Sequence, residues 1–152
     1  MRKLIPLVFF FFACIELFSQ SENPRYDSTL AKTLGADDYG MKSYIMVVLK
    51  SGPNTITDQA KLDSLFSDHM KNIQDMADKG KLIVAGPFGK NAKSYRGIFI
   101  LDVKTKEEAN ALLMNDPAIR EKVFETDILE WFGSAALGEY LKVHQKIEKK
   151  SF

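Results

Sequence analysis

Few residue types in this chain can move a proton, and fewer stand where a proton carrier is out of place. His69 does: it lies four residues after Leu65, three after Phe66 and four before Ile73, inside the apolar stripe of a helical pattern. A polar ring in such a stripe needs a hydrogen-bond partner. Two readings are open. His69 is either a core histidine bonded to a backbone carbonyl, or a general acid or base in a pocket between helix and sheet. Asp116 precedes Pro117, the usual arrangement of a helix cap with proline in the first turn, and a capping carboxylate can carry a second task. Gly86-Pro87 reads as a turn that stops a strand, with a ligand cradle as the alternative. Trp131 is a core residue or a pocket wall. His144, among Lys142, Lys146 and Lys149, reads as an exposed or packing residue near a helix end.

Several chemistries are excluded. The two histidines have no metal-spaced set of carboxylates around them, so no zinc or iron site is predicted. There is no glycine-rich phosphate loop and no Gly-x-Ser-x-Gly turn. The single cysteine, Cys14, lies in the leading segment. Once that segment is removed, no thiol remains for disulfides, nucleophilic catalysis or thiolate ligation. Of the 21 basic and 20 acidic residues, Arg2, Lys3 and Glu16 fall in the first twenty positions, which leaves 19 of each sign and no electrostatic footprint for nucleic acid.

The elements that must position these residues follow from the apolar pattern. Tyr44 to Leu49 is a short β-branched run closed by Ser51-Gly52-Pro53-Asn54, a first strand. Thr57 or Asp58 caps a long helix with Leu62, Leu65, Phe66, Met70, Ile73, Met76 and Ala77 on one face, ended by Gly80. Leu82 to Ala85 is a second strand stopped by Gly86-Pro87, and Gly97 to Val103 a third. Thr105-Lys106-Glu107-Glu108 is a capping box for a second helix with Ala109, Leu112 and Leu113. Val123 to Phe132 forms a fourth strand closed by Gly133. From Ser134 to about Lys149 the pattern predicts one terminal helix with a basic end. Strand, helix, strand, strand, helix, strand is the α+β, ferredoxin-like βαββαβ order, with an extra C-terminal helix. Two helices cover one sheet face. The other, with Ile98 or Phe99 and Leu129 or Trp131, invites a second copy, and a face-to-face homodimer is predicted.

Residues 1–20 have the parts of a secretory signal: Arg2 and Lys3, an apolar run from Leu4 to Ala13, and small or polar residues near Ser19. The run is too short for a permanent membrane span. Export to the periplasm or medium is the expectation, with lipid anchoring at Cys14 as a lesser alternative. Residues 21–42 form a polar lead-in with a short helical turn near Leu30 to Leu34, residues 43–133 the domain, and residues 134–152 a helical extension.

Four segments together resemble the YciI-like, or YCII-related, family: Phe66-Ser67-Asp68-His69-Met70, the run Gly80 to Pro87, Glu108-Ala109, and Asn115-Asp116-Pro117. The resemblance spans about Tyr44 to Trp131. It implies a dimeric α+β barrel with a His69–Asp116 dyad in a pocket near Gly86 and Pro87. It also implies a superfamily that holds isomerases, dehalogenating lyases and oxygenases acting on small, often cyclic molecules. The leading segment, lead-in and tail depart from the family's short cytoplasmic form. The resulting expectation is a cofactor-free enzyme acting on a small organic ligand, with His69 and Asp116 catalytic and Gly86, Pro87 and Trp131 binding. A non-catalytic binding module and a cell-envelope interaction protein are the alternatives.

Overall fold

A computed structural model describes residues 23–149. The predicted signal in residues 1–20 and Cys14 lie outside the described residues. The elements run α1 (Ser28–Leu34), β1 (Met41–Ser51), α2 (Gln59–Asp78), β2 (Leu82–Pro87), β3 (Tyr95–Leu101), α3 (Lys106–Leu113), α4 (Pro117–Arg120) and β4 (Phe124–Ser134). A 3-10 helix (Ala135–Tyr140) and α5 (Leu141–Ile147) follow. The four strands form one antiparallel sheet in the order β2-β3-β1-β4. This is the ferredoxin-like arrangement, because each βαβ half is split by a central strand of the other half.

Register decides which side chains share a face. Ile45 pairs with Leu101 and Val47 with Phe99, so these residues point together toward the helices. There they form the main core with Met76, Val103, Ala109, Leu113 and Phe124. Phe99 therefore belongs to the helix side, while Ile98, Leu129 and Trp131 lie on the other side with Tyr44, Met46 and Val48. The strip Leu65, His69, Met76 is the buried line of α2. Asp58 is the cap of α2, its carboxylate accepting from the amides of Ala60 and Lys61. Gly80 closes the helix at φ 65°, a conformation that costs a side chain strain.

The structure corrects several predicted boundaries. Gly86 and Pro87 do not stop β2 but are its last two residues, paired with Ile98 and Gly97. Proline fits there because β2 is an edge strand and needs no amide on its outer side. β3 runs from Tyr95 to Leu101, two residues earlier than the apolar run predicts, since Asp102 leaves the ladder to bond the Lys81 carbonyl. Gly133 continues β4, opposite Lys42. The capping box at Thr105 forms, with the returning Glu108 carboxylate reaching the Lys104 amide. This carboxylate also meets Lys81, and that bond, followed by the Lys104 amide, holds the Glu108 carboxyl below its ordinary pKa.

The predicted terminal helix is two pieces. The 3-10 helix turns the chain back over the sheet, and Leu137 and Leu141 pack against Tyr44, Ile83 and Ile100. The Tyr140 hydroxyl donates to the Ile83 carbonyl oxygen of edge strand β2, occupying an acceptor that the edge leaves exposed. The lead-in is tied in as well, with the Ala135 amide bonded to the Gly40 carbonyl oxygen.

Candidate functional site

The sequence between α3 and β4 folds locally around Asp116. Pro117 cannot donate an amide and is preset for a first helical turn, so the chain enters α4 at that point. One carboxylate oxygen of Asp116, Oδ1, then accepts from the Ala118 amide at 2.9 Å. The cap is fully buried. An acceptor so placed cannot leave its second oxygen unpaired without a cost of about 1–3 kcal/mol. That oxygen, Oδ2, stands 2.5 Å from Nδ1 of His69, 47 residues earlier in the chain.

α2 delivers His69 to this position because the helix lies across the sheet with its apolar stripe inward. The His69 side chain is 9% exposed. It stacks on Phe99 at 6.2 Å between centroids and meets the edges of Phe66 and Phe124. Nδ1 donates to the Asp116 carboxylate. In the neutral ring this leaves Nε2 as the lone-pair nitrogen, and Nε2 has no hydrogen-bond partner among the described residues.

In front of the ring lies a cavity of about 360 Å³, within the usual range of small-molecule sites. Its walls are Phe66, Met70, Ile73, Phe99 and Phe124, and its rim includes Ala85, Gly86, Pro87, Arg96 and Gly97. A Cβ at Gly97 would stand 2.9 Å from the Gly86 carbonyl oxygen. Only glycine lets β2 and β3 approach so closely at the rim.

The sequence-predicted residues divide. His69, Gly86 and Pro87 share the cavity, and Asp116 stands behind His69 as its sealed partner. Trp131 does not line this cavity. It sits on the opposite sheet face, 5.7 Å from the Tyr44 ring, because its position on β4 has the parity of Tyr44 and not of Val47. His144 lies on α5, 3.7 Å from Glu148, away from the site. Sequence reasoning missed the aromatic walls and Arg96, which come from three separate elements, α2, β3 and β4. Among the described residues, no cluster of three or more His, Cys, Asp and Glu side chains is arranged to hold a metal ion. No helix among them is long and apolar enough to cross a membrane.

The profile of the YCII-related domain matches residues 43–132. A solved structure of 5-chloro-2-hydroxyhydroquinone dehydrochlorinase from Burkholderia phenoliruptrix AC1100, in complex with 2,5-dihydroxybenzoquinone, is 22% identical. The likeness covers 58% of this chain and 92% of that chain, with a TM-score of 0.43. No curated protein sequence matches the chain.

Proposed function

Since the chain belongs to the YCII-related domain family, we propose that it is a small-molecule enzyme in which His69 transfers a proton and Asp116 positions and charge-stabilises the imidazole. The observation that carries this reading is the buried Nδ1 to Oδ2 contact of 2.5 Å directly behind an apolar cavity. A carboxylate fixed by its own cap holds the ring in one tautomer and one orientation. The price of desolvating it is offset by two hydrogen bonds.

The chemistry follows from the free nitrogen. Nε2 takes a proton from a carbon or hydroxyl of the ligand, and the imidazolium formed is stabilised by Asp116. Returning that proton to a different atom gives an isomerisation. Keeping it while a neighbouring group departs with its bonding electron pair gives an elimination. Neither route calls on a metal or a nucleotide. Gly86 and Pro87 form the rim against which the ligand is placed.

A test needs no knowledge of the natural substrate. Small cyclic acids and lactones are incubated with the protein in D₂O, and NMR follows exchange of their acidic C–H protons. Exchange catalysed by the wild type is expected to fall by about 10²–10⁴ in His69→Gln, the usual contribution of a positioned acid–base group. Undiminished exchange in His69→Gln overturns the proton-transfer role, and binding without exchange makes the protein a binding module.

The quaternary state belongs to the same proposal. Met46, Val48 and Ile98 are half-buried and Leu129 is 48% exposed on the sheet face away from α2, an apolar strip that the tail leaves uncovered. Two copies pack through this strip, so light scattering of the wild type reports a dimer and Leu129→Asp a monomer. Export of the chain is proposed from residues 1–20, with lipid attachment at Cys14 as its lesser variant. Mass measurement of the N-terminus after cell fractionation distinguishes the two.

A further inference from the structure

Arg96 occupies an irregular place in the sheet. Leu49 pairs with Gly97 and Lys50 with Tyr95, so β3 carries one extra residue at this point, and that residue is Arg96. Strict alternation from Gly97 and Phe99, which face the helices, would send Arg96 to the opposite face. The bulge cancels that alternation, and Arg96 lines the His69 cavity instead. Bulges of this kind redirect one side chain while leaving the ladder on either side intact. The rest of the local backbone is tied down: the Phe88 amide bonds the Arg96 carbonyl oxygen.

The charge inventory of the cavity is one-sided. Arg96 is the one lining residue with a permanent charge, and no carboxylate lines the space. Asp116 is sealed behind His69. Among the described residues the Arg96 guanidinium makes no ion pair and no hydrogen bond. The remaining surface is apolar, with three phenylalanine rings.

Resting on the reading of this cavity as the working site, we infer that its ligand is a flat cyclic organic anion. The ring packs among Phe66, Phe99 and Phe124, and the ionised oxygen or carboxylate pairs with the guanidinium of Arg96. A cationic ligand would find no counter-charge, and a neutral one would leave the redirected arginine without a task. A planar fork of donors suits a carboxylate or a delocalised oxyanion. Arg96 is thus a specificity-determining residue, and it fixes which edge of the ring meets Nε2 of His69.

Two probes of the same shape test this in the full chain: 2-naphthoate and 2-naphthamide, titrated by calorimetry at neutral pH. The wild type is expected to bind the carboxylate at least about tenfold more tightly than the amide, the margin of one charge-assisted pair. Arg96→Gln should abolish that preference, Arg96→Lys should keep part of it, and His69→Gln should keep it. Because the readout is binding, proton transfer can fail at His69 while this inference stands. Equal affinity for the two probes, binding of neither, or a preference that survives Arg96→Gln overturns it. So does a preference that disappears in His69→Gln, which would make the imidazole the anion's partner. Arg96 is exposed, and its two variants are expected to keep the wild-type circular dichroism spectrum.

Discussion

The two faces of the sheet each bury polar side chains, and they spend them differently. On the face away from α2, the Tyr44 hydroxyl donates to the Ser134 carbonyl oxygen at 2.8 Å, and at the β2 edge the half-exposed Tyr140 donates its hydroxyl to the Ile83 carbonyl oxygen. Both bonds end on backbone, both fasten the tail or its entry to the sheet, and burial pushes both phenols above their ordinary pKa. On the helix face, His69 bonds a side chain, Asp116, that already has a capping task, and the ring's other nitrogen has no partner among the described residues. Polar groups that end on backbone are consumed by structure. One that ends on a second titratable side chain beside a cavity keeps chemical capacity in reserve.

Asp116 serves both as a cap and in the dyad, and substitution separates the two tasks. Asp116→Ala removes both and leaves the buried His69 without a partner. The expected cost is about 3 kcal/mol, from a lost cap of about 1 kcal/mol and an unpaired buried group. Asp116→Asn keeps the cap, since asparagine caps as well as aspartate. It should stay within about 1 kcal/mol of the wild type in urea unfolding yet lose the proton exchange that depends on a charged partner. If the asparagine variant exchanged protons at the wild-type rate, Asp116 would be a cap alone and the two faces would be alike.

The other face should respond with stability and not with chemistry. A Cβ on Gly133 would fall 2.3 Å from the Trp131 ring, which must then swing off Tyr44. Gly133→Ala is therefore expected to cost about 2 kcal/mol, from overpacking and a disturbed aromatic pair. Ligand exchange at His69 should remain at the wild-type rate. A variant that folded normally but lost exchange would show that the faces communicate.

How much of this contrast was legible in the sequence depends on whether it lay in periodicity or in register. The helix carrying His69, the cap at Asp116 and the individual strands of the βαββαβ order are local patterns, each signalled within its own stretch of chain. The contact between His69 and Asp116 is not local: from the residues alone it had two separate readings, and only the family resemblance joined them. The sequence offers Trp131 both to the open sheet face and to the pocket, and only the first place is found, because strand parity cannot be counted from an apolar run whose ends are uncertain. A shift of one residue exchanges the two faces. Arg96 was invisible for the same reason, since a bulge breaks the alternation by which a strand is read. The sequence predicts one helix for the tail because Leu137, Tyr140 and Leu141 satisfy a helical spacing. A 3-10 turn that bends them over Ile83 satisfies it as well.

The smallest effect, and the one that isolates the tail, belongs to Tyr140. Its hydroxyl holds the C-terminal segment to the edge of β2, and the residue is 42% exposed, so Tyr140→Phe should lower stability by less than about 1 kcal/mol at neutral pH. The sign of its pH dependence is fixed. Burial raises the phenol's pKa in the folded state above the ordinary value of about 10, so the unfolded chain loses its proton first. The contribution is complete below about pH 10 and is lost as pH rises through the folded value, when the donor to Ile83 disappears. The difference in urea midpoint between wild type and Tyr140→Phe should accordingly be present at pH 8 and shrink at pH 10.5. Trp131 is the single tryptophan of the chain and packs in the same cluster as Leu137 and Leu141, so its fluorescence follows this region directly. A difference that stayed constant across that interval would show that the hydroxyl does not fasten the tail, and that packing of the two leucines alone holds it to the sheet.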